Sequence, residues 1–248
     1  MIKRQFRSLA AAQILAALAV TVSLLIDGML TSRFLGKDAI TAFGLAYSLI
    51  ILFVAVGGTI ASGGQCLCRN ALGSGSKEGV EASFSTAVTM GAAVSVLSVV
   101  IVFAFSDPVS LAMGAVQGTE VQLLTKDYLK GYILGCPGFI LMQTINPFLH
   151  LIGKKRVVMA GVVAMIVTDV CADLLNVFVF HLGTLGMGLA TALSYYAAMA
   201  VSLRCVFRNP DTFRFRFRLA TPLCIRNILV LGSTYALYQG CRAQSSPN

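Results

Sequence analysis

The chain contains no tryptophan, two histidines and only ten acidic residues in 248 positions. Charged residues of both signs make up 12% of it, about half of the roughly 25% usual for a soluble domain, which excludes an ordinary water-soluble fold. Without Trp, the residues that mark membrane–water boundaries have to be Tyr and Phe. The seven cysteines are mostly single and lie within apolar runs. Cys66-x-Cys68 is one residue short of a CxxC pair and has no Cys/His quartet beside it. The thiols therefore read as small packing residues rather than zinc ligands. Neither H-E-x-x-H nor G-x-S-x-G occurs, and Ser62-Gly63-Gly64 has no His at matching depth. An enzyme is not expected.

Apolar residues fill the space: 57% of the chain is hydrophobic and the mean hydropathy is +0.82. The fold class is therefore all-α, a polytopic membrane helix bundle. Counting apolar windows of about 20 residues predicts six transmembrane helices, at about 9–31, 40–67, 80–105, 128–152, 157–181 and 184–207. The third ends at Asp107-Pro108, and the fourth contains Pro137 and Pro147. Lys3, Arg4 and Arg7 before the run Leu9–Ile26 look like a signal peptide, but the run leads into Asp27 without an A-x-A-like site. An uncleaved first span is expected. After residue 222, the stretch Ile228–Gly240 is apolar for only 13 residues before Cys241-Arg242. At about 1.5 Å per residue this covers roughly 20 Å of a roughly 30 Å core, an incomplete seventh helix. The predicted division is a six-helix lobe, 1–222, and the start of a seventh helix, 223–248.

The net charge of +9 does not point to nucleic acid, because the cations sit in alternate loops. Fourteen Lys/Arg lie on the side of the N-terminus, in loop 2–3 (Arg69, Lys77), loop 4–5 (Lys154, Lys155, Arg156) and loop 6–7 (Arg204 to Arg226). Four lie on the other side: Arg33, Lys37, Lys126 and Lys130. This bias predicts a cytoplasmic N-terminus and a location in the cytoplasmic membrane. The alternating run Arg214-Phe215-Arg216-Phe217-Arg218 reads as an anchor at the lipid headgroups, with binding to anionic lipid or a partner as the alternative. Gly73-Ser74-Gly75-Ser76-Lys77-Glu78-Gly79 lacks the G-K-[ST] ending of a phosphate loop and reads as a turn.

Seven of the ten acids fall in loops or at helix edges; Asp27, Asp169 and Asp173 do not. A charge at membrane depth costs roughly 2.5–3.5 kcal/mol even on the mildest insertion scale, and so marks a functional site by default. Asp169 and Asp173 are four apart and share one helix face. Asp27 is 20 residues past Arg7, Asp173 is 17 past Arg156, and Thr191 is 10 past His181. All three positions fall in the outer half of the bilayer, so three helices present polar groups at one height. Clustered carboxylates in a low dielectric share a proton or bind a cation, with hydroxyl and amide oxygens as further ligands. The alternative is that the acids only join helices. His150 and His181 read as interfacial. Asn146, before Pro147, could join the network, but counting from Lys154 puts it in the inner half.

Three strings together resemble the N-terminal lobe of multidrug and toxic compound extrusion (MATE) transporters. They are Asp27-Gly28-Met29 with Arg33-Phe34-Leu35-Gly36, the turn Ala71-Leu72-Gly73-Ser74-Gly75, and above all Asp173 through Gly186-Met187-Gly188-Leu189-Ala190-Thr191-Ala192-Leu193-Ser194. The resemblance implies a twelve-helix transporter of two lobes, of which this chain supplies one. It also implies a coupling-ion site for H⁺ or Na⁺ at Asp27, Asp169, Asp173 and Thr191, with Asn146 close by. Na⁺, if that is the ion, would sit at Asp27 and Asp173; no other cofactor is implied. Asp169 stands where many members have Asn, and the first helix lacks the proline that members often carry. The implied activity is antiport of amphipathic organic cations. The alternatives are an inactive truncated fragment, a half-transporter needing a partner lobe, and a lipid-linked saccharide flippase.

Overall fold

The structure, a computed structural model, describes residues 21–208 and 222–244. The basic N-terminus, the first half of the first span and the Arg214–Arg218 run lie outside the described residues. Helix α1 is described from residue 21 to 30 and closes in a π turn, Thr31–Leu35. Then come α2 (Lys37–Gly73), α3 (Lys77–Ala104), the short α4 (Ser106–Ala112), α5 (Glu120–Ile133), α6 (Cys136–Leu151), α7 (Lys155–Leu175), α8 (Gly183–Arg208) and α9 (Pro222–Gln244). A second π turn, Asn176–Phe180, extends α7. No strand occurs among the described residues.

Among the described residues, four helices are long and apolar enough to cross a membrane: α2, α3, α7 with its π turn, and α8. A fifth crossing exists if α5 and α6 are taken as one broken span, bent by 49°. The predicted fourth span, 128–152, is thus not one helix. It starts earlier, at Glu120, and breaks at residues 134–135. Pro137, with no N–H to give, sits in the first turn of α6, where a helix needs none. Helix α2 also exceeds its predicted span. Its 37 residues reach about 55 Å, so its ends stand beyond the hydrocarbon core. The last helix begins at Pro222, not at the apolar run, so Arg226 lies on a helix rather than in a loop. Its apolar section, Leu223–Tyr238, is still shorter than a full crossing.

Short polar turns join the long helices. Gly75 takes a left-handed conformation (φ 70°), and the Ser76 hydroxyl accepts the Gly79 N–H at 3.1 Å, capping α3. The glycine-rich segment between α2 and α3 is therefore a helix stop and start. Thr119 caps α5 in the same way, accepting from the Gln122 N–H.

Lipid tails offer no hydrophobic drive between helices, so the bundle depends on close backbone approach. Gly131 of α5 faces Gly188 of α8. A Cβ on either would overlap the other helix's backbone, at the Leu185 carbonyl and the Tyr128 carbonyl respectively. One turn on, Gly135 lies against Ala192. The second close crossing is between α2 and α9, where Gly63 meets the Ile228 carbonyl and Gly232 meets the Thr59 carbonyl. Glutamines add polar links between α2 and α6: Gln143 Nε2 donates to the Val54 carbonyl at 3.0 Å, and Gln65 Nε2 to the Pro147 carbonyl at 3.3 Å. Side chains fill the remaining space in two clusters. One, around Phe53, Tyr128, Tyr132 and Met187, supports the acids. The other, around Phe84, Phe148 and Ile228, lies toward the basic end. All six described cysteines are free. Cys171 points outward rather than into the packing, unlike the buried Cys68 and Cys136.

Candidate functional site

On α1, Ser23, Asp27 and Thr31 recur every four residues and so form one stripe. On α7, Asp169 and Asp173 do the same, and Asn176 follows. On α8, the matching positions are Thr191, Ser194 and Tyr195. Packing brings the three stripes together. Asp27, Asp169 and Asp173 are 4%, 6% and 1% exposed, so the acids are inside the bundle rather than at its rim.

Ser23 Oγ donates to Asp169 Oδ2 at 2.9 Å, tying α1 to α7. The Asp27 and Asp173 carboxyls lie against each other across the same two helices. Asp27 Oδ1, Asp169 Oδ1, Thr31 Oγ1 and both Asp173 oxygens are buried without a hydrogen-bond partner. Leaving one such group unmade costs about 1–3 kcal/mol, more when it is charged. A shared proton or a bound cation relieves the repulsion of two facing carboxyls and satisfies their oxygens. Among the described residues, no three Asp, Glu, His or Cys side chains converge as a metal-ligand set. A cation held here would need the hydroxyls of Ser23 or Thr31 to complete its oxygen shell. The orphaned oxygens fit either occupant.

A cavity of about 260 Å³ opens beside the acids. Its polar wall is Ser23, Asp27, Asp169, Thr191 and Ser194, and no Lys or Arg among the described residues lines it. Thr191 Oγ1 donates back to the Met187 carbonyl at 3.2 Å and also pairs with the Tyr128 hydroxyl at the cavity wall. The opposite wall is apolar and aromatic, including Tyr47, Phe139 and Met165. Tyr195 packs on Phe139 with centroids 4.8 Å apart and meets Tyr132 edge to face at 6.0 Å.

Of the residues singled out from sequence, the structure gathers Asp27, Asp169, Asp173 and Thr191 in one place. It does not bring Asn146 there. Asn146 Oδ1 accepts from Ser202 Oγ at 2.9 Å. Ser202 is 11 residues beyond Thr191 on α8, about 16 Å along the axis. The residue precedes Pro147 near the basic end of α6, too far along the helix to reach the acids. His181 is exposed, left-handed (φ 50°) and ends the π turn of α7. His150 lies in the last turn of α6.

Among the residues of the site that escaped the sequence reading are Ser23, Thr31 and Asn176, with Ser194 of the cavity wall. The first two were signalled by their four-residue spacing from Asp27, but single hydroxyls are common in membrane helices. Asn176 acts on the backbone. Its Nδ2 donates to the Gly183 carbonyl at 3.0 Å, and its Oδ1 accepts the Leu182 N–H at 3.1 Å. A Cβ on Gly186 would overlap this amide, which explains the glycine. The clamp fixes where α8 starts, and with it the height of Thr191.

Buried acids on two helices, a polar third wall and glycine-packed spans define a polytopic membrane protein with the MATE transporter fold. The chain overlays a MATE structure in the straight conformation with a TM-score of 0.82 at 20% identity, covering 94% of this chain and 52% of that one. It overlays an inward-facing multidrug resistance MATE family transporter of the MOP superfamily with a TM-score of 0.77 at 21% identity, covering 86% and 48%. Residues 12–177 match the MatE family model, and the chain belongs to that family. It is also 28% identical over 208 residues to the multidrug export protein MepA of Staphylococcus aureus (strain NCTC 8325 / PS 47). That match takes in 82% of this chain and 45% of the relative, so the chain spans about half the length of the curated relatives it matches.

Proposed function

We propose that the chain is one lobe of a cation-coupled exporter of amphipathic organic cations, with H⁺ or Na⁺ as the coupling ion at Asp27 and Asp173. The observation that carries this reading is the pair of facing carboxyls with no fixed donor. Occupancy by a proton or cation relieves their repulsion, and emptying restores it, so α1 and α7 have two preferred arrangements. A ligand shifts such an equilibrium only by its differential affinity for the two states, and this pair supplies one. The name of the staphylococcal relative, a multidrug export protein, supports the substrate class. An apolar and aromatic cavity with acids, and with no cation among the described residues of its wall, suits a lipophilic cation. The same lack of basic lining disfavours the flippase reading.

The half-length coverage supports a second element of the proposal: transport needs a second lobe, from the same gene or a partner chain. The test is efflux of a lipophilic dye cation from vesicles under an imposed H⁺ or Na⁺ gradient, with this lobe joined to a second one. Asp173→Asn is expected to abolish gradient-driven efflux, and undiminished efflux in that variant overturns the assignment. The gradient whose collapse stops efflux identifies the ion.

A further inference from the structure

At the basic end of the bundle, α7 begins where α8 finishes, and a cleft of about 390 Å³ opens between them. Lys154 and Arg156 stand on its α7 side and Arg204 and Arg208 on its α8 side. None of the four forms an ion pair among the described residues. The first turn of α7 holds no acid, and neither does the last turn of α8. Lys154, at the start of α7, offers no side-chain cap. The uncapped N–H groups of that first turn therefore add partial positive charge to the rim. The floor is different in kind: Val157, Ala160 and Val201 are apolar. This cleft shares no residue with the acid-lined cavity.

Four converging cations repel one another and call for a multiply acceptor-bearing anion. Arg guanidinium groups match phosphate oxygens two at a time, which a single carboxylate or chloride would not use. The apolar floor suits a ligand whose charged head carries a greasy stalk. We propose that this cleft binds the phosphate headgroup of an anionic phospholipid, holding the start of α7 to the end of α8. Soluble phosphate shares the headgroup's chemistry but leaves the floor bare. The consequence for the bundle is direct, because α7 carries Asp169 and Asp173, and its start is then anchored to the helix that carries Thr191.

The experiment titrates the purified full chain, in detergent, with phosphatidylglycerol and with phosphatidylcholine, and counts retained lipid by native mass spectrometry. Phosphatidylglycerol is expected to be retained in preference to phosphatidylcholine. R156Q/R204Q is expected to weaken phosphatidylglycerol binding by about fivefold for each arginine removed. R156K/R204K, which keeps the charge but not the two-at-a-time match to phosphate oxygens, should fall between R156Q/R204Q and wild type, and R33Q/K37Q, at the opposite end, should keep all of the affinity. If R156Q/R204Q fails to fold, R204Q alone carries the same comparison. Three results overturn the proposal: equal retention by R156Q/R204Q and wild type, equal retention of the two lipids, or full displacement by matched inorganic phosphate. The last of these would assign the cleft to a soluble phosphate compound.

Discussion

Phe34 and Phe178 meet edge to face, with ring centroids 5.3 Å apart and planes at 72°. Each belongs to a π turn: Phe34 to the one that follows Asp27 and opens at Thr31, and Phe178 to the one after Asp173. The two acid-bearing helices thus end in the same irregular geometry and touch through it. π turns are rare and recur at functional sites, since a wide turn is easily exchanged for a regular one. A change in how Asp27 and Asp173 repel each other would be felt first at these turns, a few residues away. An edge-to-face pair is worth about 0.5–1.5 kcal/mol beyond the area it buries. Phe178→Ala is expected to destabilise the purified chain by about 1 kcal/mol, read as a lowered unfolding midpoint. An unchanged midpoint would show that the ring contact holds nothing.

The Gly131–Gly188 crossing is expected to be the least tolerant point of the bundle. Neither position has room for a Cβ against backbone atoms of the other helix, and backbone cannot rotate out of the way as a side chain can. Gly188→Val should cost about 3 kcal/mol or more, by the overpacking of a close-packed interior. Graded unfolding in a denaturing detergent provides the measurement. The same substitution at Gly44, where nothing lies within 4 Å of an added Cβ, is the comparison. Equal losses at the two sites would contradict the packing argument.

How much of this was legible in the sequence varies from residue to residue in a physically sensible way. Asp27, Asp169 and Asp173 stood out because charge at membrane depth is costly, and depth can be counted from Lys/Arg anchors. The class of fold followed from apolar run lengths. Counting from Lys154 puts Asn146 in the inner half, away from the acids, and only the family resemblance sets it close by; its partner, Ser202, lies at that inner height. The break in the fourth span carried a signal in Gly135-x-Pro137, yet proline is tolerated within membrane helices, so the bend itself depends on the approach of Gly135 to Ala192. The two π turns had no local signature. They depend on contacts between segments more than 140 residues apart, which no window of sequence contains. The cationic cleft was half visible: Lys154, Arg156, Arg204 and Arg208 were counted as positive loop charges, but only the pairing of α7 with α8 makes them one cluster.

Asn176 and Gly186 are expected to behave as a unit. Gly186→Ala drives a methyl into the Asn176 amide and breaks the clamp on Leu182 and Gly183. Asn176→Ala alone leaves those backbone groups without their side-chain partner, at about 1–2 kcal/mol. In the double variant the methyl enters space the amide has vacated. The second substitution should therefore cost less than it does alone, with an interaction energy of about 1 kcal/mol or more. Stability measurements on the two single variants and the double variant complete the cycle. Strict additivity would mean that the two side chains do not compete for the same space.

Ser23 and Asp169 provide the sharpest test of whether α1 is steered from α7. The Ser23 hydroxyl is the donor and Asp169 the acceptor, and both are buried. Asp169→Asn keeps an oxygen in the place where Oδ2 accepts, so the bond and the helix register survive. Ser23→Ala removes the donor at 2.9 Å from a buried carboxyl whose Oδ1 already lacks one, and leaves only the Ser194 hydroxyl nearby. That loss is expected to cost about 1–3 kcal/mol. The two substitutions therefore separate two roles for Asp169. If it chiefly positions α1, Asp169→Asn in the two-lobe protein should retain most dye efflux while Ser23→Ala loses about tenfold or more, since 1.4 kcal/mol in the positioned state is a factor of ten. If its charge instead takes part in ion occupancy beside Asp27 and Asp173, the order reverses: Asp169→Asn shows the larger defect and Ser23→Ala the smaller. Efflux rates of the two variants under one imposed gradient decide between these roles. Because the proposed coupling ion sits at Asp27 and Asp173, the positioning outcome is the one expected here.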